Sequence, residues 1–104
     1  KNPTSIEFLK DVYNFDTIRE GIKMTRNIKY RNIGENPYFI TNIKVSCGCT
    51  IPSYNKEPTK PGDTGSVQIE FSSKKKHGFN MNKLSLHGNT DPTERSVYFK
   101  VFVK

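Results

Sequence analysis

Alanine and tryptophan are absent from this 104-residue chain, and leucine occurs only three times. Amphipathic helices draw on Ala, Leu and other unbranched side chains, so a helical core is excluded as the organising principle. Long hydrophobic runs are missing too. The longest apolar stretches are a few residues, against the roughly 20 that a membrane-crossing helix needs, and the chain reads as a soluble piece. It starts at Lys1 rather than Met and shows no apolar leader, as expected of a mature or excised fragment whose targeting information has been removed. No repeat, low-complexity tract or Ser/Gly linker divides it. Its length suits one core, so residues 1–104 are expected to form a single domain.

Signatures of catalysis are equally sparse. No GxSxG elbow is present. Pro61-Gly62-Asp63-Thr64-Gly65 lacks the GxxxxGK spacing and the following helix of a phosphate loop, and reads as a turn entering a strand. The ten carboxylates are dispersed, with no close pair to divide acid and base roles. Enzymatic activity is therefore not expected.

Arginine is scarce as well. Of 17 basic residues only Arg19, Arg26, Arg31 and Arg95 are Arg, whereas phosphate and base-edge recognition favours the guanidinium fork. The net charge of +7 is read mainly as a solubility term, and no nucleic-acid partner is expected. One local run, Lys74-Lys75-Lys76-His77 ahead of Gly78, is expected to form a solvated hairpin tip, with Lys74, Lys75 and Lys76 as candidates for surface contact with anionic envelope polymers.

What the chain does contain is nine Ile, six Val, seven Phe and five Tyr, residues that suit a pleated, half-buried surface. Turn signals recur at Asp16, Gly21, Gly34 to Pro37, Gly48, Pro58 to Gly65, Lys74 to Gly78 and Gly88 to Pro92. Between these turns lie segments of strand length. Val97, Phe99, Val101 and Val103 form one inward row, Val67, Ile69 and Phe71 another, and Ile22, Met24, Ile28 and Tyr30 a third that Arg26 interrupts. In the segment from Phe79 to His87 the apolar parity changes between Met81 and Leu84, which a β-bulge would explain. With Ile6 to Phe15 and Tyr38 to Cys47 added, the expectation is an all-β chain: an immunoglobulin-like antiparallel β-sandwich of about seven strands. A barrel is the rival.

Several segments, taken in order, carry a resemblance. Tyr13-Asn14-Phe15-Asp16-Thr17-Ile18-Arg19-Glu20-Gly21 is similar to an "F-D-F-G-x-I-x-x-G" opening. Ile28-Lys29-Tyr30-Arg31-Asn32-Ile33-Gly34 is similar to "F-x-x-x-N-x-G". Ile43-Lys44-Val45-Ser46-Cys47-Gly48-Cys49-Thr50 carries the most specific element, and Lys60-Pro61-Gly62-Asp63-Thr64-Gly65 follows as "x-P-G-E-x-G". Together they resemble a family of bacterial envelope domains of unknown function, common in Bacteroidetes and marked by a CGCT signature. Two departures are visible: Asp16 stands where the family usually has Gly, and Thr59 where an aliphatic residue is common. The resemblance implies an immunoglobulin-like sandwich related in architecture to Hydin-type and major-sperm-protein-type domains. It also implies an exported protein of the periplasm or cell envelope, often a lipoprotein, with no known activity.

Cys47 and Cys49 are the only cysteines and flank Gly48. In an extended chain their Cα atoms would stand about 6.5 to 7 Å apart, near the upper limit for a disulfide. A positive φ at Gly48 would draw them closer. Three states remain open: two packed thiols, a small-ring disulfide, or two thiolates facing a soft metal such as Cu(I). Zinc would need further ligands, and His77 and His87 read as surface or strand-edge residues. The expected function is a non-catalytic binding or assembly module of an exported envelope protein. Its partner would be another envelope protein, it needs no cofactor, and any lipid anchor would lie outside the fragment. The alternative is a thiol-based module in which Cys47 and Cys49 bind copper or exchange disulfides.

Overall fold

A side chain on every second position buries one face of a strand, and three rows of that kind define the interior of this domain. The computed structural model describes residues 2–104 apart from the Asp16 side chain, so the reading that rests on Lys1 lies outside the described residues, whereas the turn expected at Asp16 is not formed, its backbone running within a strand that spans Val12–Ile18. Eight strands follow in order: β1 (Ile6–Phe8), β2 (Val12–Ile18), β3 (Lys23–Asn32), β4 (Ile40–Val45), β5 (Thr50–Tyr54), β6 (Thr64–Ser72), β7 (Gly78–Gly88) and β8 (Glu94–Val103). They form two four-stranded sheets, β1-β3-β6-β5 and β2-β8-β7-β4. Among the described residues there is no helix long and apolar enough to cross a membrane.

The core lies between the sheets. Met24, Ile28 and Tyr30 of β3 and Val67, Ile69 and Phe71 of β6 face Leu84 and Leu86 of β7 and Val97, Phe99, Val101 and Val103 of β8, all buried. Phe71 and Phe99 join the layers edge to face, with ring centroids 6.0 Å apart. The immunoglobulin-like sandwich expected from alternation is therefore present, and the barrel is not.

Several local expectations change. The segment from Ile6 to Phe15 is two strands: β1 pairs antiparallel with β3, then the chain crosses at Leu9 to Asp11 and β2 pairs parallel with β8. One parallel pairing thus enters a sandwich expected to be antiparallel. A strand with no alternation signal, β5, is added by pairing with β6. Its Pro52 is tolerated because the proline nitrogen faces away from β6 on an edge strand. Ile22 is not in the inward row; it is 50% exposed in the turn before β3, where its carbonyl accepts from the Ser73 backbone N–H and hydroxyl. Lys74, Lys75 and Lys76 form a crossover from β6 in one sheet to β7 in the other, not a hairpin tip.

The expected bulge in β7 is absent as well. Its pairing with β8 is continuous from Gly78↔Val103 to His87↔Glu94. Even-numbered side chains face inward throughout, so Asn80 and Asn82 take the inner positions while Phe79 and Met81 point out.

At the opposite end, Asn32 is fully buried and organises the loops. Its amide donates to the carbonyls of Asn36 and Thr59, at 2.8 and 2.9 Å, and its Oδ1 accepts from Thr4 Oγ1 and Gly34 N–H. Gly34 is held close enough that any Cβ would collide with Thr4 Oγ1, which accounts physically for an Asn-x-Gly at this position. Thr59 also has a role an aliphatic residue could not fill, since its hydroxyl meets Tyr30 Oη at 3.1 Å.

Candidate functional site

Val45 is the last residue of β4 to pair with β7, opposite Leu84. Ser46 closes the contact: its N–H donates to the Lys83 carbonyl at 3.1 Å and its Oγ accepts from the Lys83 N–H at 2.9 Å. The next residues turn away into β5 of the other sheet. Thr50 N–H donates to the Cys47 carbonyl at 3.1 Å, and Cys49 N–H to Cys47 Sγ at the same distance. Cys47 and Cys49 are joined as a disulfide across this turn, with Cα atoms 5.1 Å apart. Turn closure brings them together, because Gly48 is not among the residues with positive φ. Of the three states left open by the sequence, the structure holds the disulfide. Thiolate ligation of a soft metal would require its reduction. Among the described residues no group of three His, Cys, Asp or Glu side chains is placed to hold a metal ion.

The turn has a consequence for β7. Backbone N–H and C=O groups alternate sides along a strand, and those of Lys83 face β4. The same groups of Met81 and Phe79 therefore face that side too, whereas Asn82, Asn80 and Gly78 are directed to β8. The β8 strand agrees, since Tyr98 N–H and Lys104 N–H are directed to the β2 side. Among the described residues no strand lies beside β7 from Gly78 to Asn82 on the β4 side. This segment is an open sheet edge.

The outer face beside that edge is apolar and cationic. Phe79 is 77% and Met81 57% exposed. Across the ladder Phe79 stacks edge-on with Phe102, centroids 5.0 Å apart, and Met81 lies opposite Lys100. Tyr98 and Val12 extend the patch toward β2. Lys83 and Lys44 stand at one end of the open segment, and Lys74, Lys75 and Lys76 precede the other. At the margins, Glu94 Oε1 is 4.0 Å from His87 Nε2, and Glu20 Oε1 is 3.6 Å from His77 Nε2. On the inner side of the same edge Asn82 is only 6% exposed, and its Nδ2 has no hydrogen-bond partner. An unsatisfied buried donor costs about 1–3 kcal/mol.

The site residues expected from sequence are thus brought into one region from separate elements. The CGC turn ends β4 beside β7, and the lysine run leads into β7 from the other direction. What sequence reading missed is Phe79 and Met81, assigned to the core because apolar residues in a strand are usually inward. The available signal was continuity of parity from Leu84 and Leu86, which places both on the same outer face as Phe102.

Away from this edge, a depression of about 360 Å³ is lined by residues including Tyr30, Glu57, Thr59 and Asp63. Burial raises the Tyr30 phenol above the usual tyrosine value, and the Thr59 hydrogen bond opposes this in part. Neither Cys nor His lines the depression; its hydroxyls are those of Tyr30, Thr59, Thr64 and Ser66, and its carboxylates those of Glu57 and Asp63. Tyr38, packed on Tyr30 at 5.4 Å, is pushed further up by burial and by Tyr30, against a lowering by Arg95. Its hydroxyl is buried without a partner.

These two sheets define an immunoglobulin-like sandwich. The PapD-like domain 7 of human CEP192 superposes with a TM-score of 0.64 at 13% identity, covering 100% of this chain and 87% of that one. A protein of unknown function from Porphyromonas gingivalis W83 superposes with a TM-score of 0.80 at 14% identity, over 96% of this chain and 47% of that chain. The secreted serine protease VesC from Vibrio cholerae matches as a part only, with a TM-score of 0.67, 14% identity and coverage of 97% and 23%. At such identities the likeness is one of fold. The chain belongs to the DUF1573 family of proteins of unknown function, matching it over residues 6–103. No curated protein matches the sequence. The domain spans less than half the length of the Porphyromonas protein it resembles.

Proposed function

We propose that this domain is a non-catalytic binding or assembly module of an exported bacterial envelope protein. The observation that carries the reading is the open β7 edge with Phe79 and Met81 exposed beside it. A monomeric sandwich normally blunts such an edge with charge, proline or a bulge. Here apolar side chains line it, as at surfaces that accept another chain. Export rests on the resemblance to envelope domains, and is supported by a disulfide, a bond that persists in oxidising compartments.

The alternative is supported by the same disulfide: a turn carrying two sulfurs near the surface could exchange disulfides or, once reduced, bind Cu(I). Replacing both cysteines by Ser separates the two. The assembly reading predicts that the Cys47→Ser, Cys49→Ser protein captures the same partner from native envelope extract as the wild type. Loss of capture together with loss of thiol exchange or copper uptake would transfer priority to the thiol reading.

A further inference from the structure

We propose that the open edge of β7 at Gly78–Asn82 is a strand-docking site for an extended partner segment with an apolar centre and acidic flanks, seated antiparallel in the track that β4 leaves at Ser46. This inference rests on the binding-module reading and specifies its surface and the chemistry of its partner. The edge offers the N–H and C=O groups of Phe79 and Met81, which face the β4 side and are unpaired among the described residues. Only another backbone satisfies such a row in regular spacing. An incoming strand would place alternate side chains on the outer face beside Phe79 and Met81, where apolar groups are favoured, and the others toward Asn80 and Asn82. The buried, unpartnered Asn82 Nδ2 can donate to a polar atom at that inner position.

Charge defines the flanks. Lys44 and Lys83 stand at one end of the open segment and Lys74, Lys75 and Lys76 at the other, so acidic residues on both sides of a short apolar centre are complementary. A second copy of this chain is disfavoured as the occupant because each carries a net charge of +7. Both edges of the other sheet are less receptive: one is the three-residue β1, and β5 presents the imide of Pro52 outward.

The probe is the synthetic peptide Glu-Glu-Val-Thr-Val-Glu-Glu, followed by amide NMR on the isotope-labelled domain and by calorimetry. Saturable binding is expected, with shift changes centred on Gly78–Asn82 and affinity falling as salt rises. Met81→Pro removes one outward N–H while leaving the ladder to β8, and should weaken binding at least tenfold. Lys83→Glu, on an exposed side chain, should do the same if the proline variant fails to fold. No binding at millimolar peptide, shifts elsewhere, or undiminished binding by a folded Met81→Pro or Lys83→Glu protein would overturn the site. So would binding to anionic phosphatidylglycerol vesicles through Phe79 and Met81 in place of the peptide. The broader reading is judged separately: a specific envelope partner still captured by the Met81→Pro protein overturns this site but leaves the module role standing, whereas absence of any specific partner for the wild type counts against the module itself.

Discussion

The two halves of β7 obey opposite rules. From Leu84 to Gly88 the strand has β4 on one side and β8 on the other, and its apolar side chains are buried. From Gly78 to Asn82 it has β8 alone, its inner positions hold Asn80 and Asn82, and its apolar side chains, Phe79 and Met81, face solvent. The register with β8 is continuous from Gly78 to His87, through both halves. What differs is the neighbour, and the disulfide-closed turn at Cys47 to Cys49 determines where that neighbour stops. Apolar residues in one strand can therefore serve two ends: packing where the sheet is complete, and display where it is not.

The sharpest way to break this comparison is to truncate one aromatic from each side. Phe99→Ala empties a fully buried position at the contact between sheets and should cost about 3–5 kcal/mol. Phe79→Ala should change stability by less than about 0.5 kcal/mol. Chemical denaturation of the two variants measures both, and a large loss at Phe79 would mean that the outer face is covered within the domain.

Next in size is Asn32→Ala at the far end, which strands the Thr4 hydroxyl, the Gly34 N–H and the Asn36 carbonyl and should cost about 2–3 kcal/mol in the same assay. The double replacement of Cys47 and Cys49 by Ser opens only a short loop, so about 1–2 kcal/mol is expected from chain entropy. A loss much larger than that would show that the disulfide supports more than its own turn.

The smallest effect is at Tyr38. Burial holds its phenol neutral in the fold, whereas the unfolded chain ionises near pH 10. Below that pH the group makes no pH-dependent contribution. As pH rises past about 10 the unfolded state releases a proton that the fold retains, and stability falls. Tyr38→Phe should remove part of this alkaline decline and leave the melting temperature at neutral pH nearly unchanged, since the hydroxyl has no partner to lose.

Much of the architecture was legible. Rows such as Val97 to Val103 and Val67 to Phe71 alternate without interruption because both sheets bury one face. The division of the first segment at Leu9 to Asp11 was not, because the chain changes sheets there without Gly or Pro. The Thr50–Tyr54 strand was hidden by Pro52, which is acceptable only once the strand is known to be an edge. The CGC turn was recognised as the distinctive element, yet spacing alone could not choose among thiols, disulfide and metal; the closed turn chooses. The outward Phe79 and Met81 were illegible for a different reason. Parity marks which residues share a face, and only the assembled sheets say which face is the core.

Backbone hydrogen exchange along β7, read residue by residue in the free protein, tests the open edge most directly. Asn80 and Asn82, bonded to β8, and Ser85, paired with β4, should exchange slowly, while Phe79 and Met81 exchange rapidly although they sit in the same strand. Slow exchange at Phe79 and Met81 matching that of Asn80 and Asn82 would contradict the account.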